Sequence, residues 1–187
     1  MGKRVFKAEL SVKSIENLKK ELLNYKNDEL PNLLVKFTEE LLKIGIQVVD
    51  ERMNNASYKF DEHNVMSGAD PSHTSFVRIS KVGNDVRATL VVTGNELLFI
   101  EFGAGVSFNT EAGSSPHKKG EEFGFTIGSY GKGYGSRKVW GYYNDNGDLV
   151  LTRGVKAEMP MYYAGLEMRN AVVEVARRVF NWCGQIV

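Results

Sequence analysis

Residues 5–12 alternate between apolar and polar positions. Phe6, Ala8, Leu10 and Val12 fall on one side, and Lys7, Glu9 and Ser11 on the other. This period of two predicts a half-buried strand. Ser14 then stands where an N-cap is needed for a short helix over about residues 15–25. Asn27-Asp28 predicts the end of that helix and the start of the next, with Pro31 tolerated in a first turn. From there to about residue 53 runs the longest helical pattern in the chain. Leu30, Leu34, Phe37, Leu41, Ile44 and Val48 form one apolar stripe. Val35, Leu42, Ile46, Val49 and Met53 form a second, roughly 135° away on a helical period. A helix lying on one sheet needs a single stripe. Two stripes predict two surfaces to pack against, the second being another helix of the chain or a neighbouring subunit.

Residues 54–74 are rich in Asn, Ser, Asp, Gly and Pro and predict a loop. Residues 75–82 and 86–93 are rich in β-branched residues and flank Gly83-Asn84-Asp85, a hairpin pattern. Residues 97–102, Leu-Leu-Phe-Ile-Glu-Phe, predict a third strand. Residues 103–136 are loaded with Gly and Ser and predict a long compliant loop, with Phe123, Phe125 and Ile127 forming a short strand inside it. Residues 137–143 and 148–153 flank Asn144-Asp145-Asn146-Gly147, a second hairpin. Pro160 opens a last helix over about residues 161–182, apolar around more than half its circumference. The order predicts one α+β domain over residues 1–187. Its antiparallel sheet, a meander plus a hairpin, is packed by the long helix and the C-terminal helix.

Composition narrows the function. The 187 residues carry 24 basic and 23 acidic side chains, a net charge of +1. A dedicated nucleic-acid binder would carry a basic excess. A local exception is Lys118, Lys119, Lys132, Arg137 and Lys138, interleaved with Tyr130, Tyr134 and Trp140. That mixture can face DNA or stack on single strands. The single cysteine, Cys183, rules out an intrachain disulfide and suits a reducing cytoplasm. It reads as a buried small hydrophobe. The N-terminus has no secretory-signal pattern, and no run of about 18 apolar residues predicts a membrane span.

Candidate chemistry is sparse. His63, His73 and His117 have no helical i, i+4 spacing and no CxxC beside them, so no metal site is predicted, and all three read as solvated loop residues. The glycines between 128 and 136 lack the GxxxxGK[ST] order of a phosphate loop. No GxSxG elbow or partnered nucleophile is present. Glu96 and Glu101, five apart on a strand, would point to opposite faces and could not act as paired acids. No catalytic residue, cofactor or metal is therefore expected. A small hydrolase is the weakest of the functional readings.

Leu98-Phe99-Ile100-Glu101-Phe102-Gly103 is followed some 50 residues on by Met159-Pro160-Met161-Tyr162-Tyr163-Ala164. This pair of motifs resembles the neck and tail-completion (minor tail) proteins of long-tailed bacteriophages. These show an aromatic strand ending in Glu-Phe-Gly and a proline-led segment entering a final helix with an early alanine. The resemblance covers most of residues 31–182. It departs from the family in the long Gly-rich insertion and in residues 4–26. It implies a structural virion protein, assembled in the host cytoplasm, that completes a tail or joins it to the head. It implies partners of two kinds: further copies of the chain in a closed ring of about six or twelve, and adjacent neck, connector or tail-tube proteins. It implies no catalytic residues. The surfaces expected to meet neighbours are the Val35, Leu42, Ile46, Val49, Met53 stripe and the two motifs, through Glu101, Phe102, Gly103, Pro160, Tyr162 and Tyr163. DNA passing through the channel would meet the basic residues of the loop. The competing class is a nucleic-acid-binding module using residues 117–140.

Overall fold

A computed structural model describes residues 11–83, 85–108, 119–123 and 138–180. The expected strand over residues 5–12 lies outside these except at its end, where Ser11 caps a helix and Val12 opens it. The chain is α+β. It divides into two compact units. Residues 1–45, 76–91 and 167–187 make the first, and residues 46–75 and 92–166 the second.

In the first unit, α1 (Val12–Asn24) begins one turn earlier than the pattern predicts. Ser11, in extended conformation, accepts the Ser14 N–H on its hydroxyl at 3.2 Å and caps the helix. Ser14 is thus a helical residue and not the cap.

The expected break at Asn27-Asp28 is absent. A π turn (Tyr25–Glu29) carries α1 without interruption into α2 (Leu30–Asn55). Pro31 explains why the turn sits here. Proline offers no N–H and crowds the carbonyl one α-turn back, and a wider π turn relieves that crowding. The side chain of Asn32 donates to the Asp28 carbonyl at 2.9 Å, which supplies a partner at the irregular turn.

The π turn also sets the phase of the helix. The Leu30 N–H bonds the Tyr25 carbonyl, so Leu30 stands one turn above Tyr25 although it is five positions further along the chain. The apolar positions Ile15, Leu18, Leu22 and Tyr25, at spacings of three and four, therefore run on into Leu30, Leu34, Phe37, Leu41 and Ile44 as one seam. In an unbroken α-helix Glu29 would fall on that seam in place of Leu30.

α5 (Pro160–Phe180) contributes its later turns to this unit. Phe180 stacks obliquely on Phe37, with ring centroids 5.8 Å apart. Arg178 pairs with Glu40 at 3.0 Å. Gly45 admits a close approach: a Cβ there would lie 2.8 Å from Met168 Sδ and 3.1 Å from Leu90 Cδ2. Leu42, Val175 and Val179 are buried. The hairpin expected over residues 75–93 is present as β3 (Thr74–Val82) and β4 (Asp85–Thr93). On β4, half-buried Val86, Ala88 and Leu90 alternate with exposed Asp85, Arg87 and Thr89, as the period of two requires.

The second unit holds the end of α2, the hairpin ends and a mixed four-stranded sheet. Two short strands, β1 (Lys59–Phe60) and β2 (Met66–Ser67), lie inside the stretch read as loop. The predicted C-terminal hairpin is β5 (Trp140–Tyr143) and β6 (Leu149–Thr152). Its turn is organised by Asn144, whose side-chain oxygen accepts the N–H groups of Asn146 and Asp148 at 3.0 and 2.8 Å. The sheet order is β1-β2-β6-β5. β2 meets β6 in parallel at Met66↔Thr152, and the other pairs are antiparallel.

The strand expected over residues 97–102 is instead a short helix, α3 (Leu97–Phe102). Its six residues are too few to display a period, and their apolar character suits burial in either conformation. Residues 103–136, expected as a long loop, are described only at 103–108 and 119–123. These contain a 3-10 turn (Val106–Phe108) and a one-turn helix, α4 (Lys119–Glu122). Phe123 follows α4, its ring 6.1 Å from that of Phe102. Phe125 and Ile127 lie outside the described residues.

Candidate functional site

The two motifs that carry the family resemblance meet in the second unit. α5 opens at Pro160, and its first turn leaves backbone N–H groups without helical partners. Each has an acceptor. Pro160 has no N–H to satisfy. Met161 and Tyr162 donate to the Glu101 carboxylate at 2.7 and 3.2 Å. Tyr163 donates to the Met159 carbonyl at 3.0 Å. Glu101 is 5% exposed and sits 60 residues before the helix it caps. A buried carboxylate is costly unless hydrogen-bonded; here backbone donors and the positive end of a helix surround it.

The flanking backbone locks this junction. The Ile100 carbonyl accepts N–H groups from Glu158 and Met159 at 2.9 and 3.4 Å, and Ala104 exchanges hydrogen bonds with Val155 at 2.8 and 2.9 Å. Two positive φ angles make the approach possible, 75° at Gly103 and 55° at Met159. Arg52 adds a clamp from α2. Its guanidinium lies 3.8 Å from the centroid of the Tyr163 ring, and its Nη1 donates to the Glu158 carbonyl at 3.2 Å. Tyr162 and Tyr163 meet edge to face at 5.3 Å.

The expected interface residues therefore divide. Leu42, Val49 and Met53 are buried within the chain, the last two with no exposure at all. Val35 and Ile46 are half-buried. Three of the five positions of the second stripe of α2 are thus buried by the chain itself. Glu101, Phe102, Gly103 and Pro160 are buried too, and Tyr162 and Tyr163 half-buried. These motif residues build the junction and do not form an open surface. Apolar exposure lies elsewhere: on α1, where Val12, Ile15, Leu22 and Leu23 are all exposed and nothing is buried, on Val172 and Val173 of α5, and on Tyr143, Leu149 and Leu151 of the hairpin. Of the basic residues, Lys118, Lys132 and Arg137 lie outside the described residues. Lys119 begins α4. Lys138 is exposed, its carbonyl accepting the Ser107 hydroxyl at 2.9 Å.

A cleft of about 550 Å³ opens in the same unit, beside α3. Trp140 and Tyr142 alternate onto one face of β5, and Thr152 is the cross-strand partner of Trp140, so all three line it from the sheet. Tyr58, Phe99 and Glu96 line it from outside the sheet. Glu96 accepts the Tyr58 hydroxyl at 3.2 and 3.3 Å and the Asp70 N–H at 2.7 Å. Partial burial, with the negative charge of Glu96 second, pushes the Tyr58 hydroxyl up to about 12. Glu96 and Glu101 thus serve separate places, each with its own donors.

His73 is not the solvated residue expected from its loop. Its side chain is 13% exposed, and both ring nitrogens face acceptors, Nδ1 the Pro71 carbonyl at 2.7 Å and Nε2 the Asp50 carboxylate at 2.8 Å. Only the doubly protonated ring can donate to both. Burial lowers its pKa, but Asp50 and the Pro71 carbonyl outweigh that and raise it above the ordinary 6.5. His63 is exposed, as expected, and His117 and Cys183 lie outside the described residues. Among the described residues, no group of three or more His, Cys, Asp or Glu is placed to hold a metal ion, and no helix is long and apolar enough to cross a membrane.

Arg52, Tyr58 and the His73–Asp50 pair escaped sequence reasoning. Their partners lie 106, 38 and 23 residues away, and no local pattern marks them. Comparison with family models, with curated proteins and with solved structures finds no match.

Proposed function

We propose that this chain is a structural protein of the neck or tail end of a long-tailed phage, acting in tail completion or head–tail joining by subunit-to-subunit assembly. The observation that carries the reading is α1. Thirteen residues form an amphipathic helix, its seam held in phase with that of α2 by the π turn, yet none of its residues is buried. It extends α2 beyond Leu30 with no buried residue of its own, and helices in proteins gain most of their stability from a packed apolar face. The cover for that face is a neighbouring subunit. Exposed Val172 and Val173 on α5, and Tyr143, Leu149 and Leu151 on the hairpin, supply further apolar contact area. A heterologous contact between unlike faces closes into a ring when the rotation permits.

The motif pair supports the same reading. Glu101 caps the start of α5 through the N–H groups of Met161 and Tyr162, which gives the two motifs a structural role toward each other. The experiment is complementation of tail joining. A phage deprived of this chain yields separated heads and tails by electron microscopy, and adding purified chain joins them. The double variant Ile15→Glu, Leu22→Glu folds but fails to join. Full-length particles in the absence of the chain would overturn the proposal.

A further inference from the structure

We propose that the cleft beside α3 receives an arginine side chain carried on a segment of a partner protein. Four aromatic residues, Tyr58, Phe99, Trp140 and Tyr142, line it together with the Glu96 carboxylate. Among the described residues that line the cleft none is Lys, Arg or His, and Glu96 is the one carboxylate. The donors Glu96 has are neutral, a phenol and a backbone N–H, and it takes part in none of the ion pairs among the described residues. A carboxylate beside aromatic rings in a largely apolar cleft attracts a cation with an apolar stem. Arginine fits better than lysine, because its planar guanidinium stacks on rings and can donate twice to one carboxylate.

The geometry favours a segment over a free small cation. The volume, about 550 Å³, holds more than one side chain, so residues flanking the arginine have walls to meet. Trp140 and Tyr142, with rings 5.8 Å apart, remain 41% and 39% exposed at the mouth, which leaves apolar area for that contact. Gly68 and Gly154 also line the cleft. Both have positive φ, and a Cβ on either would strike a carbonyl oxygen, at 2.5 Å from Ala56 O for Gly68 and 2.3 Å from Ala104 O for Gly154. The wall is therefore set by packed backbone and is formed before any ligand arrives. The chemistry of the occupant follows from the cleft alone and stands whether or not the assembly reading holds.

The test uses the full chain and the Trp140 indole N–H signal in two-dimensional NMR, assigned by its loss in Trp140→Phe. The probes are acetyl-Leu-Arg-Leu-amide, the same peptide with neutral citrulline for arginine, and free arginine amide. The arginine peptide should shift the signal saturably, with a Kd of about 1 mM or tighter. The citrulline peptide and arginine amide should each bind about tenfold more weakly. Glu96→Gln should weaken the arginine peptide about tenfold. Tyr142→Leu, at an exposed position that leaves the fold intact, should weaken it several-fold. Equal binding of the arginine and citrulline peptides, or no shift at about ten times the expected Kd, would overturn the proposal. Arginine amide binding as tightly as the peptide would overturn the partner-segment part of it.

Discussion

Replacing Glu101 tests the junction that joins the two motifs. Its carboxylate accepts two backbone N–H groups, at 2.7 and 3.2 Å, from a position 5% exposed. A hydrogen bond to a charged group contributes about 1.5–3 kcal/mol, and water cannot replace a lost acceptor at a buried site. Glu101→Gln keeps the shape and one acceptor oxygen. It loses the charge at the helix N-terminus and turns an NH2 toward an N–H, so it should cost about 2 kcal/mol. Glu101→Ala leaves both donors unpaired beside a cavity and should cost about 4 kcal/mol. At roughly 2–4 °C per kcal/mol for a chain of this size, Tm should fall about 4–8 °C and about 8–16 °C. Urea unfolding followed by circular dichroism reads the free energies directly. Added salt should leave the differences unchanged, because buried charges are weakly screened. If both variants stay within about 0.5 kcal/mol of the parent, Glu101 does not cap α5 and the junction described here is wrong.

Other predictions follow from single contacts. His73 has a folded pKa raised above 6.5, so its pair with Asp50 stabilises fully below that value and is lost as pH rises through the folded pKa. His73→Gln should remove that alkaline loss in Tm measured from pH 5 to 9. Asp61, held down to about 2 by Arg153 and by the N–H groups of Val65 and His63, works with the opposite sign. Its contribution is present above the ordinary 3.8 and disappears as pH falls toward 2, and Asp61→Asn should flatten the acid limb of the same curve. Gly45→Val should destabilise by about 1–3 kcal/mol through the close approach of Met168. Adding Met168→Ala should recover part of that in a double-mutant cycle. Deleting Asn27 removes the extra residue of the π turn. Tyr25 and Leu30 then stand four positions apart on a regular α-helix, so the α1 and α2 seams should stay in phase; head–tail joining should survive and far-ultraviolet circular dichroism should stay within a few per cent.

Much of this architecture is legible along the chain. α2, β3, β4, the β5–β6 hairpin and the Pro160 start of α5 repeat their period long enough to identify themselves, or carry a turn signal such as Asn144-Asp145-Asn146-Gly147. The errors have physical causes. Asn27-Asp28 and Pro31 are stop signals taken locally, but a π turn absorbs the proline and the helix continues. Residues 97–102 are too short and too apolar to declare a period, and helix suits them because Glu101 must reach the start of α5. The Val35, Leu42, Ile46, Val49, Met53 stripe shows its apolar character in the sequence but not its cover, because one helix's pattern does not say which element packs on it; Leu42, Val49 and Met53 are buried within the chain, and Val35 and Ile46 only half-buried. The same blindness hid the exposed seam of α1. Of the candidate site, the motif residues were visible as residues. The contact between them was not, because a hydrogen bond across 60 positions leaves no periodic trace.

The central claim is that this chain is a building part of a phage particle. The most direct measurement is mass spectrometry of purified, DNA-filled virions, joined to an electron-microscopy reconstruction of the neck. The account predicts this chain in several copies per particle, arranged as a closed ring with α1 covered by the adjacent subunit. Particles that are complete and infectious yet contain no copy of the chain would contradict it.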